Sequence, residues 1–341
     1  MPDTNAVTVA SIGERALIDR IRARAGAPPA WVTTGIGDDA AVFEPERGAL
    51  DVVTTDCLIE DVHFRRAWTA PEAIGAKAVA VNFSDLAAMG AAPRAVLLSL
   101  ALPTALPLDD FDRLIESAIA TATSESASLI GGNLARSPGP LLVDVTAIGS
   151  VRRRRVLTRS GGRAGDELYV TGSVGGAAVG LAVLAAGLDR SGLDAALSEC
   201  VGRHERPVAR VRLGRAVAAQ RAATAAIDLS DGLAAAVTQL AEASGTGGVI
   251  DAAAIPVDPA ARAWHARTGA DPVLAALTGG EDYELLFAVS PRRRRAFFAA
   301  VGRAGRLACT KIGRLTKERG AWLDRDGQQE RLPEGFAHYQ K

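Results

Sequence analysis

Apolar residues recur along the chain with two different spacings, which predict a layered arrangement of helices and strands. Helical spacing, with an apolar side chain at every third or fourth position, extends from Pro71 to about Met89 and from Leu108 to Ser126. Short apolar runs, from Ala95 to Leu102 and from Leu141 to Ile148, instead predict buried strands. The pattern therefore favours an α/β or α+β layered domain in the first half of the chain.

Shorter patterns complete the prediction. Ser11 and Glu14 have the spacing of a capping box and predict a first helix that ends near Arg24. An apolar run from Leu50 to Thr54 predicts a strand that ends just before Asp56. In the second half, strands are predicted at Glu167 to Thr171, Ala225 to Leu229, Val249 to Asp251 and Leu285 to Val289, and helices over roughly Asp194 to Gln220 and Leu233 to Ser244.

The length of the chain predicts two domains. A chain of 341 residues exceeds one ordinary core, since domains average about 150 residues. Four arginines from Arg152 to Arg155, followed by Gly161 and Gly162, mark a boundary between the two halves. We therefore expect domains at residues 1–151 and 152–341.

Composition constrains the partners and the compartment. The 39 basic and 39 acidic residues balance, which removes the electrostatic reason to expect nucleic acid or an anionic membrane as a partner. The Ala- and Val-rich runs are interrupted by glycine and are too short to span a bilayer, and no signal peptide is evident at the N-terminus. Cys57, Cys200 and Cys309 lack the spacing of metal ligands, so we expect a reducing, cytoplasmic setting.

Acidic residues beside glycine, serine or threonine recur along the chain and indicate a metal site. Asp38 and Asp39 lie between a glycine turn and a short apolar run, and adjacent carboxylates repel each other unless a proton or a cation relieves them. One such pair alone is typical of a turn, whereas the recurrence favours a hard cation such as Mg2+, which prefers oxygen ligands. The same combination recurs at Thr54-Thr55-Asp56, Ser84-Asp85, Asp228-Leu229-Ser230-Asp231-Gly232 and Gly279-Gly280-Glu281-Asp282.

Several motifs follow one another in order along essentially the whole chain. They are Gly35-Ile36-Gly37-Asp38-Asp39, Val62-His63-Phe64, Lys77 to Gly90, Leu157-Thr158-Arg159-Ser160-Gly161, Ile227 to Leu233, Gly279 to Leu285 and Gly335 to Tyr339. Together they resemble the thiamine-monophosphate kinase family. The resemblance implies a two-domain fold of the aminoimidazole ribonucleotide synthetase type, with mixed sheets covered by helices, that forms a homodimer. It also implies ATP-dependent phosphorylation of thiamine monophosphate to thiamine diphosphate, assisted by several Mg2+ ions.

The resemblance implies site residues but no catalytic side chain. The acceptor is a phosphate monoester with a second pKa of about 6, so at neutral pH it is mostly dianionic and needs no general base. No Gly-x-x-x-x-Gly-Lys phosphate loop is present, so metal ions would neutralise most of the phosphate charge. The implied metal ligands are Asp39, Thr54, Thr55, Asp56, Asp85, Asn133, Asp228 and Asp231. The implied ATP contacts are Gly132, Asn133, Arg159 and Ser230, and the implied substrate contacts are His63, Glu281 and Phe336.

The residues themselves leave alternatives open. Asp38 fits a turn residue better than a ligand, and Asp228 and Asp231 also fit caps of the helix that follows them. His63 fits a structural histidine as well as a substrate contact. For the whole chain, the alternatives are another ATP-dependent enzyme of the same superfamily, or a non-catalytic protein that binds a nucleotide or thiamine phosphate.

Two positions depart from the family pattern. Asn133 stands where an aspartate is most common, and it offers a neutral carbonyl oxygen in place of a carboxylate. Asp61 stands where a glycine is common, and it places another acid near Val62 and His63. The added charge at Asp61 is a candidate for compensating the charge that Asn133 lacks.

Asn133→Asp is expected to lower the Mg2+ concentration that gives half-maximal activity, because a carboxylate attracts a divalent cation more strongly than an amide does. A Mg2+ titration of the initial rate, run side by side on the wild type and the variant, measures the change. An unchanged or raised Mg2+ requirement would contradict this role for position 133.

Overall fold

The computed structural model describes residues 7–305 and 307–335, so the predicted substrate contact Phe336 lies outside the described residues. The chain divides into two compact units, of which the first comprises Met1–Leu86 and Ala92–Arg153. The second comprises Ala87–Ala91 and Arg154–Lys341. In the part of the chain that the structure describes, no helix combines the length and the apolar character needed to cross a bilayer.

The first half of the chain contains four helices and six strands among its described residues. The helices are α1 Val9–Ile12, α2 Glu14–Ala25, α3 Pro71–Ala88 and α4 Leu108–Ser124. The strands are β1 Val32–Thr34, β2 Val42–Phe43, β3 Ala49–Ile59, β4 Ala92–Pro103, β5 Ser128–Ser137 and β6 Leu142–Arg152. β1 and β2 form a small antiparallel pair of their own.

The main sheet of the first unit has four strands in the order β3-β6-β4-β5. β4 and β5 run parallel, whereas the other two pairs are antiparallel, so the sheet is mixed as predicted. One face is dry: Leu98, Leu100, Val143 and Val145 alternate with half-buried residues on β4 and β6, and α4 contacts β4 and β5. This period-two burial is typical of a sheet with one covered face.

The second half contains seven helices and seven strands among its described residues. The helices are α5 Gly176–Ala185, α6 Ala195–Glu205, α7 Val211–Ala219, α8 Leu233–Ala243, α9 Pro259–Thr268, α10 Pro272–Thr278 and α11 Arg294–Ala304. The strands are β7 Glu167–Thr171, β8 Ala225–Asp228, β9 Gly247–Asp251, β10 Leu285–Val289, β11 Cys309–Thr316, β12 Gly320–Arg325 and β13 Gln328–Arg331.

These strands form one seven-stranded sheet in the order β13-β12-β9-β11-β7-β10-β8. Only the β12–β9 pair is parallel, so this sheet is also mixed. Every residue of β7, β8 and β10 is buried, and α8 packs on β8, β9 and β12. Strands buried on both faces are nearly continuous apolar runs, which explains why their limits could be predicted from the sequence.

Three segments of the structure differ from what the local sequence pattern alone indicates. The first helix is interrupted at Gly13 (φ +80°), and the capping box joins Thr8 to Ser11 instead of Ser11 to Glu14. β3 continues to Ile59, because pairing with β6 extends the strand through Thr55 and Asp56. β5 likewise runs through Gly131, Gly132 and Asn133, because it pairs with β4 along this length. In each case a contact distant in sequence, or a glycine conformation, overrides the local pattern.

Gly180→Ala is expected to destabilise the protein by about 1–3 kcal/mol. A Cβ at position 180 of α5 would lie 2.1 Å from the carbonyl oxygen of Cys200 on α6, so the two helices would have to separate. Gly202→Ala on α6 is the matched control: a Cβ there meets no atom within 4 Å, and alanine favours a helix by about 1 kcal/mol over glycine. Urea unfolding measures both variants, and equal shifts would contradict the close packing of α5 on α6.

Candidate functional site

In the first unit, β3 and α3 bring two predicted metal ligands together. The hydroxyl of Thr54 on β3 donates a hydrogen bond of 2.5 Å to Oδ2 of Asp85 on α3. One turn earlier on α3, Asn82 is fully buried and its Nδ2 donates to the carbonyl oxygen of Ala78. Oδ1 of Asn82 has no hydrogen-bond partner among the described residues. A buried acceptor of this kind costs free energy unless water or a ligand satisfies it. Oδ1 of Asn82 is therefore an oxygen atom suited to a ligand such as a metal ion.

The strand register divides the predicted ligands between the two faces of the sheet. Thr54 and Asp56 lie directly across from Ala147 and Val145, which are buried on the dry face. The intervening Thr55 lies on the other face, where its hydroxyl is 3.1 Å from Oδ1 of Asp144. Directly opposite residues point to the same face and successive residues to opposite faces. Within the first unit, Thr55 is therefore separated from Thr54 and Asp56.

Asn133 belongs to the same face as Thr55. It lies across from Ser99 on β4, which in turn lies across from Asp144 on β6. The neighbouring position, Gly132, has no room for a side chain, because a Cβ there would lie 1.9 Å from the carbonyl oxygen of Leu98. Glycine at 132 therefore permits β5 to approach β4 closely beside the predicted nucleotide contact.

The adjacent pair that first indicated metal consists of two residues with different surroundings. Oδ1 of Asp38 accepts a hydrogen bond of 2.9 Å from the backbone N–H of Asp39, as expected of a turn-forming aspartate. Asp39, by contrast, is exposed. Asp61, the candidate for charge compensation, is 76% exposed and lies 3.6 Å from Arg65. Its local partner is thus an arginine.

His63 has a defined orientation. Its Nδ1 accepts a hydrogen bond of 3.0 Å from the backbone N–H of Ile59, so the proton of the neutral ring is on Nε2. The Nζ of Lys77, a residue only 1% exposed, lies 3.4 Å from the carbonyl oxygen of His63. Sequence reasoning did not select Lys77, although a lysine within an apolar helix is an unusual residue to bury.

In the second unit, the Asp228–Gly232 loop and the Gly279–Glu284 loop are joined through their backbones. The N–H of Glu281 donates to the carbonyl oxygen of Ser230 (2.8 Å), and the N–H of Tyr283 donates to that of Leu229 (3.0 Å). A third bond of 2.9 Å runs from the N–H of Leu229 to the carbonyl oxygen of Glu284. The two predicted clusters of acids therefore occupy one place in the fold.

The capping alternative for Asp228 and Asp231 is wrong. The N-cap of α8 is Gly232, so neither aspartate occupies the capping position. Asp228 is buried at the end of β8, and Asp231 is half-buried beside the N-cap.

Two acids of the second loop have structural roles that the sequence did not reveal. Oδ2 and Oδ1 of Asp282 accept hydrogen bonds from the N–H groups of Gly175 (2.6 Å) and Ala177 (3.1 Å), at the start of α5. Glu284 forms a two-point ion pair with Arg210 and accepts a hydrogen bond from Thr171. Burial raises the pKa of Asp282 to about 6 although nearby Arg203 opposes the shift.

The remaining predicted contacts of the second unit lie nearer its surface. Arg159 is exposed, and its Nη1 donates a hydrogen bond of 2.9 Å to Oε1 of Gln239. Ser230, in the Asp228–Gly232 loop, is half-buried. Glu281 keeps 24% of its side chain exposed, and its Oε2 lies 2.8 Å from Nδ1 of His204. Sequence reasoning missed His204, because 77 residues separate it from Glu281 and no local motif links them.

The predicted metal ligands supply only oxygen donors, which suits a hard divalent cation. Within 7–305 and 307–335, however, no group of three His, Cys, Asp or Glu side chains is close enough to hold a metal ion. The fit to Mg2+ therefore rests on the chemistry of the donors and on the unused oxygen of Asn82.

Comparison with known proteins identifies the family. Residues 37–151 match the family described as AIR synthase related protein, N-terminal domain, and residues 163–323 match its C-terminal domain. A thiamine-monophosphate kinase from Salmonella typhimurium is 38% identical over 332 residues, which cover 96% of this chain and 98% of that protein. The chain belongs to the thiamine-monophosphate kinase family. A further member, from Synechococcus elongatus, is 36% identical over 313 residues, covering 89% of this chain and 91% of that protein.

Solved structures of thiamine-monophosphate kinases have the same fold. The enzyme from Stenotrophomonas maltophilia K279a superposes with a TM-score of 0.82 at 37% identity, covering 96% of this chain and 99% of that one. A structure described as AaThiL complexed with AMPPCP and TMP gives 0.77 at 31% identity, covering 98% and 100%. The hydrogenase maturation protein HypE of E. coli gives 0.77 at 23% identity, which shows the shared fold alone. The predicted two-domain fold with mixed sheets is confirmed.

Stability is expected to depend on the ionisation of Asp282. The folded protein binds this proton more tightly than the unfolded chain, whose pKa is near 3.8, so the group favours folding at low pH and loses this contribution as the pH rises toward about 6. The free energy of unfolding of the wild type, relative to Asp282→Asn, should therefore fall by about 1–3 kcal/mol between about pH 4 and pH 7. Urea unfolding at several pH values measures this difference, and a constant difference would contradict it.

Proposed function

We propose that this protein transfers the γ-phosphoryl group of ATP to thiamine monophosphate and thereby makes thiamine diphosphate and ADP. The observation that carries the proposal is similarity to thiamine-monophosphate kinases along nearly the whole chain, including a relative whose structure is described with AMPPCP and TMP. AMPPCP is an analogue of ATP, so that relative binds both kinds of substrate that the reaction requires. The acid and glycine motifs of both units fall within the similar region.

The chemistry requires charge neutralisation more than proton transfer. The acceptor phosphate is mostly dianionic at neutral pH and is itself the nucleophile, so no side chain has to remove a proton. Bound Mg2+ would supply positive charge between the phosphate groups of the two substrates. The residues proposed to hold the several Mg2+ ions are Asp39, Thr54, Thr55, Asp56, Asp85, Asn133, Asp228 and Asp231.

Contacts with ATP are proposed for four residues. Arg159 carries a guanidinium group suited to a phosphate, and Ser230 offers a hydroxyl beside the metal-binding acids. Gly132 and Asn133 lie together on β5, where the absence of a side chain at 132 exposes the backbone to a nucleotide.

Substrate contacts are proposed on the basis of charge. His63 can donate from Nε2, because its Nδ1 already accepts the N–H of Ile59, and such a donor suits the acceptor phosphate. Glu281 is an anion and would repel that phosphate, so its carboxylate suits the cationic thiazolium or the amino group of the pyrimidine. Phe336 remains a prediction for stacking on one of these rings.

We also propose a homodimer in the cytoplasm. One face of the four-stranded sheet is not covered by the helices that cover the other face, and it carries Val53, which is 63% exposed on the edge strand β3. A long exposed edge strand with apolar side chains is suited to pairing with a second copy of the chain. A cytoplasmic location is consistent with ATP as the phosphoryl donor and with the free thiols of Cys57, Cys200 and Cys309.

The experiment is an assay of the purified protein with ATP, MgCl2 and thiamine monophosphate, in which chromatography measures thiamine diphosphate and a coupled reaction measures ADP. Equal amounts of the two products are expected, with thiamine itself inactive as acceptor because it lacks the nucleophilic phosphate. Failure to form thiamine diphosphate across a Mg2+ titration would defeat the proposal. Binding of both substrates without turnover would support a non-catalytic protein, and ADP formation without thiamine diphosphate would support another enzyme of the superfamily; the comparisons favour neither.

Asp85→Asn is expected to lower kcat by about 100-fold or more and to raise the Mg2+ requirement, because it removes a carboxylate that faces Thr54. Asp51→Asn, an exposed position on the same strand as Thr54, is the control and should leave both quantities unchanged. The kinetics are measured over a Mg2+ titration, with thermal unfolding as a check on folding. Equal activity of the two variants would exclude Asp85 from the metal site.

A further inference from the structure

Two consecutive residues of α6 contact two consecutive residues of the Gly279–Glu284 loop. Arg203 reaches Oδ1 of Asp282 at 3.4 Å, and it also binds Ser173 and Asp258 at 2.8 Å. The next residue, His204, places Nδ1 at 2.8 Å from Oε2 of Glu281. Helix α6 therefore contacts the loop at two acids, the buried Asp282 and Glu281, the acid proposed to touch the substrate.

The environment of His204 is unusual for a histidine without a catalytic role. The residue is 3% exposed, yet its Nδ1 has no well-aligned hydrogen-bond partner among the described residues, since the close approach to Glu281 departs from hydrogen-bond geometry. A buried donor that is not aligned costs free energy. Hydrogen bonds at enzyme sites are often poorly aligned without substrate and improve when substrate binds.

The contact between Glu281 and His204 comes from outside the loop that contains Glu281. Its backbone has φ +65°, a left-handed conformation that is uncommon for residues other than glycine. The backbone bond to Ser230 fixes the position of the Cα but not the direction of the long side chain. The glutamate side chain has three rotatable bonds, so an unsupported carboxylate would lose conformational entropy on binding a substrate.

We propose that His204 is a positioning residue that orients the carboxylate of Glu281 toward the cationic, ring-bearing part of thiamine monophosphate. Nδ1–H of His204 holds Oε2, and the hydrogen bond becomes aligned when the substrate engages the carboxylate. This inference rests on the proposed function, because it assigns the role of Glu281 in that reaction. His204 does not touch the reacting phosphate groups, and its effect is transmitted through Glu281.

Steady-state kinetics of a double-mutant cycle test the proposal. His204→Leu should raise KM for thiamine monophosphate by about tenfold, the usual effect of losing a hydrogen bond to a charged group, with little change in kcat or in KM for ATP. Glu281→Gln should raise the same KM. In the Glu281→Gln background, His204→Leu should have almost no further effect, because the partner through which it acts has lost its charge. Additive effects of the two substitutions would overturn the proposal.

Two further variants separate positioning from folding. His204→Asn keeps an N–H donor near the position of Nδ1 and should restore most of the affinity that His204→Leu loses. Glu205→Gln is the matched control, since it removes a charge from the next residue of α6 that pairs with Arg190 and lies outside the loop contacts. It should leave KM for thiamine monophosphate unchanged. KM and thermal stability are compared across the four single variants. If KM rises simply in proportion to the loss of thermal stability, the positioning role is overturned.

A spectroscopic measurement keeps this inference distinguishable from the proposed function. The 15N resonances of the His204 ring in the substrate-free protein should shift on Glu281→Gln, whether or not the protein is a kinase. Unchanged resonances would overturn the contact itself. Shifted resonances in a protein that makes no thiamine diphosphate would refute the proposed function and with it the substrate role of the pair. Shifted resonances together with a non-additive cycle support the proposal in full.

Discussion

Three backbone hydrogen bonds between the Asp228–Gly232 loop and the Gly279–Glu284 loop determine the arrangement of the second unit's acids. Such close approach excludes side chains at two positions: a Cβ at Gly280 would lie 2.6 Å from the carbonyl oxygen of Ser230, and a Cβ at Gly232 would lie 2.9 Å from that of Gly279. The glycines of both motifs are thus required by packing. The acidic residues beside these glycines lie close together because hydrogen bonds join the backbones of the two loops.

The close packing of the two loops carries an electrostatic cost that the surrounding helices offset. Asp282 and Glu284 are both buried, and a buried carboxylate is tolerated only with full hydrogen bonding or an opposite charge. Asp282 obtains N–H donors from the start of α5 and the guanidinium of Arg203 on α6, and Glu284 obtains the guanidinium of Arg210, which precedes α7. The placement of the loop therefore depends on how α5 and α6 pack, and Gly180 permits that packing by allowing α6 to approach. The conformation of the Gly279–Glu284 loop and the packing of α5 on α6 therefore depend on each other.

Physical reasons separate what the sequence could predict from what it could not. The fully buried strands β7 and β10 were predicted with their observed limits, because an apolar run bounded by turn residues has few other solutions. The continuation of β3 through Asp56 and of β5 through Asn133 depends on pairing with strands far away in sequence, which local propensity does not encode. The contact between His204 and Glu281 likewise joins residues far apart in sequence, so no local pattern predicts it. Motifs predict which residues carry chemistry, and the fold determines their partners.

The face of the first unit's sheet that carries Asn133 retains negative charge from another residue. Asp144 lies on that face beside Ser99 and contacts the hydroxyl of Thr55. Across the strand pair from Asp144 lies Cys57, where burial and then the charges of Asp144 and Asp56 raise the pKa of the thiol. Asp61, by contrast, is exposed and close to Arg65, which screens its charge. Asp144 therefore shares the sheet face of Asn133, whereas Asp61 lies in an exposed loop.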